Sequence, residues 1–304
     1  FDALLMGPAS PSTFPSKLLI QRHAIAYLLS ATTAVQFAQL AREKADGMLA
    51  LAPGFDDDLK RRYARQVNDS MQMDRDFLRF VRQPFAVSTA KDLGDVMQAR
   101  VLLGGSASER GFRNEAADHG ILHLGTHALM NATSPMYSRL VLSKDSAGAD
   151  AEGDGYLHAY EIYELDLRAQ LAVLTACETG TGKDDGEGVR SLGYGFAYAG
   201  CPSLVTSLWS IDEQISSAII KRFYELLADG LPKHLAMRQA KLDHLASVEG
   251  ELALPYYWAG LVLVGDVEPV RMPFSWTMPL FWSALVLLVL ALGVWWYRRP
   301  RSAP

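Results

Sequence analysis

Cysteine is nearly absent from this chain. Two residues, Cys177 and Cys201, occur among 304. That excludes a disulfide framework and an all-cysteine zinc site. The histidines form no HExxH pattern, so no metal is expected; no cofactor is expected either. There is no excess of positive charge: the formal net charge is −5, and no basic stripe alternates with aromatics, so nucleic acid is not an expected partner. Internal repeats and low-complexity tracts are missing too. The chain opens on Phe1 with neither a methionine nor a secretory leader, which reads as a fragment or a processed form. What remains is 49% hydrophobic residues in a chain long enough for one large α/β domain, or a domain with appendages.

A local absence is equally informative. No charged residue lies between Met272 and Tyr297. The stretch from Leu280 to Tyr297 would span about 27 Å as a helix, close to the thickness of a hydrocarbon core. Trp276, Trp295, Trp296 and Tyr297 sit near its ends, where aromatic belts belong, and Arg298, Arg299 and Arg301 follow. The segment reads as a single C-terminal transmembrane helix. The arginine-rich tail places that end in the cytoplasm and the main domain outside; a tail-anchored domain facing the cytoplasm is the alternative.

The rest alternates between apolar runs and charged, periodic segments. Strands are expected at 48–53, 101–103, 121–124, 171–174, 203–208 and 260–264, with one or two more within 17–32. Helices are expected over 33–45, 56–81, 108–117, 159–165, 187–200, 212–230 and 232–247. Asp212 suits a helix cap and Gly230 a helix stop, and 143–155 reads as a loop. Strands alternating with helices, without hairpin signals, predict an α/β fold with a mostly parallel sheet and helices on its faces.

Two apolar runs end in residues that carry chemistry. ILHLGTH finishes at His127, and LAVLTAC finishes at Cys177, with the glycine-bearing ETGTG directly after. Open α/β sheets build their sites just past strand ends. A thiol nucleophile needs a base that is its neighbour in space. His127 is the first choice, in a turn after its strand; His123, four residues earlier and within the strand, is the second. The main-chain N–H groups of Ala128 and Cys177 are the expected oxyanion donors. Glycines 180, 182, 186 and 188 would let the loop after Cys177 close over a substrate. Cys201 reads as a small buried hydrophobe. His23, His119, His158, His234 and His244 read as surface or structural residues.

The stretch from Ile121 to Asp266 resembles a CHAT domain, a member of the caspase-like cysteine peptidases that include separases and metacaspases. The resemblance rests on HLGTHA (His123 to Ala128), SRLVLS (Ser138 to Ser143), GYLHAYEIYELDL (Gly155 to Leu167), LAVLTACETGTG (Leu171 to Gly182), the run from Gly186 to Glu213, FYELLADG (Phe223 to Gly230) and YYWAGLVLVGD (Tyr256 to Asp266). Residues 1–120 match the family's front half less closely. FDALL resembles a segment just after the family's first strand, so that strand is expected to be missing. The resemblance implies a three-layer α/β/α sandwich and a His127–Cys177 dyad. It implies peptide-bond hydrolysis and, in many family members, tetratricopeptide repeats upstream. Ala128 stands where the family often has glycine. Gly125 stands where alanine is common, a difference expected to be harmless. The family fold also keeps Cys201 away from Cys177, at the far end of the following helix.

The expected organisation is a peptidase domain over 1–267, with a front half to residue 100 and a catalytic core from 101. A linker over 268–278, the membrane helix over 279–297 and a basic tail over 298–304 follow. The expected function is a membrane-anchored cysteine endopeptidase acting on a protein or peptide. A membrane-tethered scaffold without turnover, or a thiol hydrolase of small amides, would be the other readings. Glu178, Asp184, Asp185, Glu187 and Asp212 make the surroundings of the nucleophile acidic, with Trp209 as a wall. That field favours a cationic substrate side chain.

Overall fold

The computed structural model describes residues 2, 18–28, 30, 44–67, 73–131, 133–144, 153–175, 183–184, 189–190 and 192–271. The chain divides into two units, Phe1–Arg271 and Met272–Pro304. The second unit, with the expected transmembrane helix and basic tail, lies outside the described residues, as do residues 33–43 of the expected helix and Cys177 itself. Among the described residues no helix is long and apolar enough to cross a membrane.

The centre is a six-stranded sheet. Its strands are β1 (Met48–Ala52), β2 (Arg100–Leu103), β3 (Ile121–Leu124), β7 (Leu171–Leu174), β10 (Ser203–Ser207) and β11 (Leu261–Gly265), in the order β11-β10-β7-β3-β1-β2. All neighbours are parallel except β10 and β11. The inner strands β1, β3, β7 and β10 are buried along their whole length. Parallel strands covered on both faces produce such unbroken apolar runs.

Helices cover both faces. Leu122 and Leu124 of β3 pack with Leu49 and Leu51 of β1 against Phe112 of α4 (Glu109–Glu115), Ile162 of α5 (Ala159–Tyr163) and Phe196 of α6 (Leu192–Tyr198). The alternate residue His123 points to the other face, where it meets Tyr224 of α7 (Glu213–Ala228). Also on that side lie α3 (Pro84–Met97), packed on β1, β2 and α7, and α8 (Lys233–Ser247), packed on α7 and β11. Asp212 caps α7 by accepting the Ile215 N–H at 2.9 Å, and Gly230 stops it at φ +85°.

Several local expectations need correction. Within 17–32 the described residues form a short 3-10 turn at Leu19–Gln21 and isolated bridges, among them Tyr27 to Val264, and no strand. The expected helix over 56–81 is two helices, α1 (Asp57–Gln66) and α2 (Arg75–Arg79), because Asp56 and Asp74 each cap a separate start. The expected helix over 187–200 begins only at Leu192. Before it, β9 (Val189–Arg190) pairs with β8 (Lys183–Asp184). Helix α3, with Pro84 in its first turn, had no counterpart among the expected elements. Most important, His127 is not in a turn. It begins β4 (His127–Leu129), the outer strand of a small antiparallel sheet with β5 (Arg139–Val141) and β6 (Tyr156–His158). This sheet packs onto α1 and α2 through Val141, Tyr156, Phe55, Leu59, Tyr63 and Phe77.

Candidate active site

The register of the central sheet brings the two candidate chain ends together. Leu124 of β3 is paired with Leu174 of β7, and His127 and Cys177 each stand three residues beyond that pair. The ladder runs one step past the strand ends, with Thr175 N–H donating to the Leu124 carbonyl at 3.1 Å and Gly125 N–H to the Leu51 carbonyl at 2.9 Å.

His127 is held from three sides. Its Nε2 lies 2.8 Å from the Val81 carbonyl oxygen. A carbonyl only accepts, so Nε2 carries the proton and Nδ1 keeps its lone pair. The ring stacks on Phe80 at 5.2 Å between centroids and tilts against Phe55 at 5.0 Å. Burial lowers its pKa from the ordinary histidine value, and the Lys60 charge lowers it further, against the opposing bond to Val81. The imidazole is therefore a neutral acceptor near pH 7. Phe55 reaches it through Gly54 and Phe55, which both have positive φ, +75° and +49°. A bulky residue in the left-handed region is strained. Here it brings the Phe55 ring against the histidine at a tilt of 52°.

His123 has a different setting. It is sealed between β3 and α7, with Nδ1 3.2 Å from the Tyr224 hydroxyl and Nε2 without a partner among the described residues. Burial pushes its pKa down to about 4. It is a core residue, sealed within the sheet–helix interface.

The position of Ala128 follows from the small sheet. Ala159 N–H donates to the Ser138 carbonyl and Leu142 N–H to the Gly155 carbonyl, both at 2.8 Å. Residues 138, 140 and 142 thus turn their main-chain groups to β6, while Arg139 and Val141 turn theirs to β4. Their partners His127 and Leu129 complete that ladder. The N–H of Ala128 accordingly points to the free edge of this sheet. Thr126 braces the bend by donating its hydroxyl to the Val141 carbonyl.

Beside His127 lies a cavity of about 230 Å³ between the first turns of α3 and α7. Gln83, Thr175, Glu213, Ser216 and Ser217 line it together with His127. The Glu213 carboxylate accepts the Ala86 N–H at 2.8 Å. Burial raises its pKa above the usual carboxylate value, against the bonds from Ala86 and Phe85. A Cβ at Gly125 would meet the Cβ of Ala86 at 3.0 Å, a close contact between the end of β3 and α3. Its absence lets α3 approach the strand ends.

The model of the CHAT domain family matches residues 1–266. The chain belongs to the CHAT domain family. Among solved structures it is similar to the separase–securin complex of Saccharomyces cerevisiae, with a TM-score of 0.50, 12% identity, and coverage of 87% of this chain and 15% of that one. It also matches the Arg-specific cysteine proteinase gingipain R of Porphyromonas gingivalis, with a TM-score of 0.48, 7% identity, and coverage of 79% of this chain and 52% of that one. The chain thus spans a small part of the separase chain and about half of gingipain R. No curated protein matches it. At such identity the likeness to separase is one of fold: a caspase-like α/β fold with a mostly parallel central sheet.

Within this CHAT domain only some of the predicted pocket residues are described. Glu178, Asp185 and Glu187 lie outside the described residues; Asp184 pairs with Val189 in the two-stranded sheet. Trp209 donates its ring N–H to the Tyr256 carbonyl at 2.8 Å and covers Gly260. Asp212 is exposed and serves as the cap of α7. Neither lines the cavity. The acid that does is Glu213, one residue on, which the pattern Ile211-Asp212-Glu213 gave no reason to prefer. Phe55, Phe80 and the Val81 carbonyl were equally unmarked. Cys201 is a free, fully buried thiol whose pKa burial pushes up to about 11.

Proposed function

We propose that this chain is a membrane-anchored cysteine endopeptidase with a His127–Cys177 dyad. The observation that carries the proposal is the setting of His127: Nε2 bound to the Val81 carbonyl and Nδ1 left as the acceptor, three residues past the Leu124–Leu174 pair, the same distance in sequence as Cys177. Nδ1 takes the thiol proton, and the sulfur attacks the substrate carbonyl carbon. The N–H groups of Ala128 and Cys177 hold the oxygen as it becomes negative. The C–N bond then breaks, and the imidazolium, made more acidic by burial, gives its proton to the departing amine. Water adds to the thioester and releases the acid and the thiol. No separation between the two side chains is part of this argument, since dyads of this kind tighten on substrate.

The proposed arrangement is a peptidase domain over 1–267, a linker over 268–278, a spanning helix over 279–297 and a cytoplasmic tail over 298–304, with the peptidase domain outside. The uncharged run from Met272 to Tyr297 and the arginines after it support this. The separase–securin complex pairs its enzyme with a protein; a protein substrate or partner, and a repeat module upstream, are proposed for this chain by analogy. The test is identification of new protein termini in membranes carrying the wild-type chain against Cys177→Ala and His127→Ala. Termini that vanish in both variants are expected. Identical termini in all three would favour a scaffold without turnover.

A further inference from the structure

One cation near His127 passes over the acids beside it. Helix α1 starts among three of them, Asp56, Asp57 and Asp58. Each has a partner already. Asp56 caps the helix by accepting the Leu59 N–H at 2.7 Å, Asp57 meets Arg82, and Asp58 meets Arg61 and Arg62. Lys60, in the same turn, makes no ion pair among the described residues. Its side chain is partly buried, and its ammonium donates to the Phe80 carbonyl at 2.5 Å. A hydrogen bond from a charged donor is about twice as strong as a neutral one.

That carbonyl is one peptide away from the group that orients the histidine. The Phe80 ring stacks on His127, and the next residue, Val81, supplies the carbonyl that accepts the Nε2 proton. No helix or strand holds this stretch, because α2 ends at Arg79 and α3 begins at Pro84. Besides the His127 bond, two hydrogen bonds tie its main chain to neighbouring elements: Lys60 at the Phe80 carbonyl, and the Gln83 N–H on the Gly54 carbonyl at 2.9 Å. The charge of Lys60 acts on the ring as well, opposing a second proton on His127 in the same direction as burial. The other charged groups around the imidazole are engaged elsewhere. Arg82 is turned onto Asp57, Arg139 of β5 lies over the Tyr156 ring, and Glu213 across the cavity accepts the Ala86 N–H.

Resting on the reading of His127 as the base, we infer that Lys60 is a positioning residue whose ammonium pins the Phe80–Val81 main chain against the imidazole. The pin lets one carbonyl fix which ring nitrogen carries the proton, and one aromatic ring fix the plane of the imidazole. Lys60 acts through Phe80 and Val81, not on a substrate. Without it the stretch between α2 and α3 is free to draw back. Nε2 then loses its acceptor, and part of the population moves its proton to Nδ1, the nitrogen that has to stay open to take a proton.

The test reads the ring nitrogens directly, by NMR titration of the Cys177→Ala chain with nitrogen-labelled histidine. His127 should show one tautomer, with the proton on Nε2. Lys60→Met keeps the stem but removes donor and charge. It should give a mixed tautomer and raise the His127 protonation midpoint by roughly half a pH unit. Lys60→Arg, which restores both, should return the single tautomer and the original midpoint. His123, sealed in the core, is the internal control and should not respond. An unchanged His127 in Lys60→Met, equal changes at His123 and His127, or a mixed tautomer in Lys60→Arg would overturn the inference. Peptide hydrolysis by chains that keep Cys177 then separates the two readings. Lys60→Met should lower kcat about tenfold and move the acid limb up by the same half unit, with Lys60→Arg restoring both. The expected NMR changes without any cleavage by the wild type would sink the peptidase and leave the pin standing. Cleavage with an acid limb unmoved in Lys60→Met would sink the pin and leave the peptidase.

Discussion

Replacing His123 with leucine should flatten part of the pH dependence of stability without touching the chemistry. His123 is 1% exposed, and burial holds its pKa near 4. In the unfolded chain the value returns to about 6.5. A depressed folded value means that the associated stability is complete above about pH 6.5 and is lost as pH falls toward and through 4. Linkage between those two values puts the loss at about 2 kcal/mol from pH 8 to pH 5, and about 3 kcal/mol once pH is below both. His127 and His244 shift in the same direction, and Glu109, raised to about 7, shifts in the other. These remain in the variant and cancel in the comparison. The Tyr224 hydroxyl loses its Nδ1 partner, a cost that does not vary over this pH range. The assay is urea unfolding of both chains at pH 8 and pH 5. The wild type should lose about 2 kcal/mol more than His123→Leu between the two conditions. Parallel losses would refute the burial of a neutral imidazole, and loss of peptide cleavage in a well-folded variant would return His123 to the site.

Three further outcomes are expected. Peptide hydrolysis should fall on the acid side through a pKa below the free imidazole value, because burial lowers that of His127; an acid limb centred above 6.5 would contradict this. Ala128→Pro removes an N–H that the β4–β5 ladder does not use, so kcat should drop by about 10²–10³ with an unchanged circular dichroism spectrum. A variant with full kcat would dismiss Ala128 as an oxyanion donor. Iodoacetamide on the native chain should label Cys177 and spare Cys201, whose thiol is buried and held near 11; mass spectrometry finding Cys201 alkylated before unfolding would refute its placement.

The strands were readable because a parallel strand covered on both faces has to be an uninterrupted apolar run, as in Met48–Ala52 and Leu171–Leu174. Asp212 and Gly230 announced the ends of α7 for equally local reasons. Helix α3 was harder: its sequence PFAVSTAKDLGDVM mixes small, polar and β-branched residues, and its position depends on packing against β1, β2 and α7. The strands β4, β5 and β6 are three residues each. That is too short for alternation to register, and their pairing is a property of the assembled fold.

The candidate site divides in the same way. His127 and Cys177 were marked by chemistry and by their place after apolar runs, both local properties of the chain. What orients His127 is a main-chain carbonyl at Val81, forty-six residues away, and a carbonyl is identical in every residue. Phe55 and Phe80 differ from other core aromatics only in what they face. Glu213 lies beside Asp212 and shares its charge; in the packed fold Asp212 caps α7, while Glu213 accepts the Ala86 N–H of α3 and lines the cavity. Sequence by itself determined the strand cores, the family and the two groups proposed to react, because periodicity and residue chemistry are written locally. Tertiary structure decided which nitrogen of His127 faces a carbonyl, the direction of the Ala128 N–H and the acid in the cavity, because each depends on groups brought together only when the sheets and helices pack.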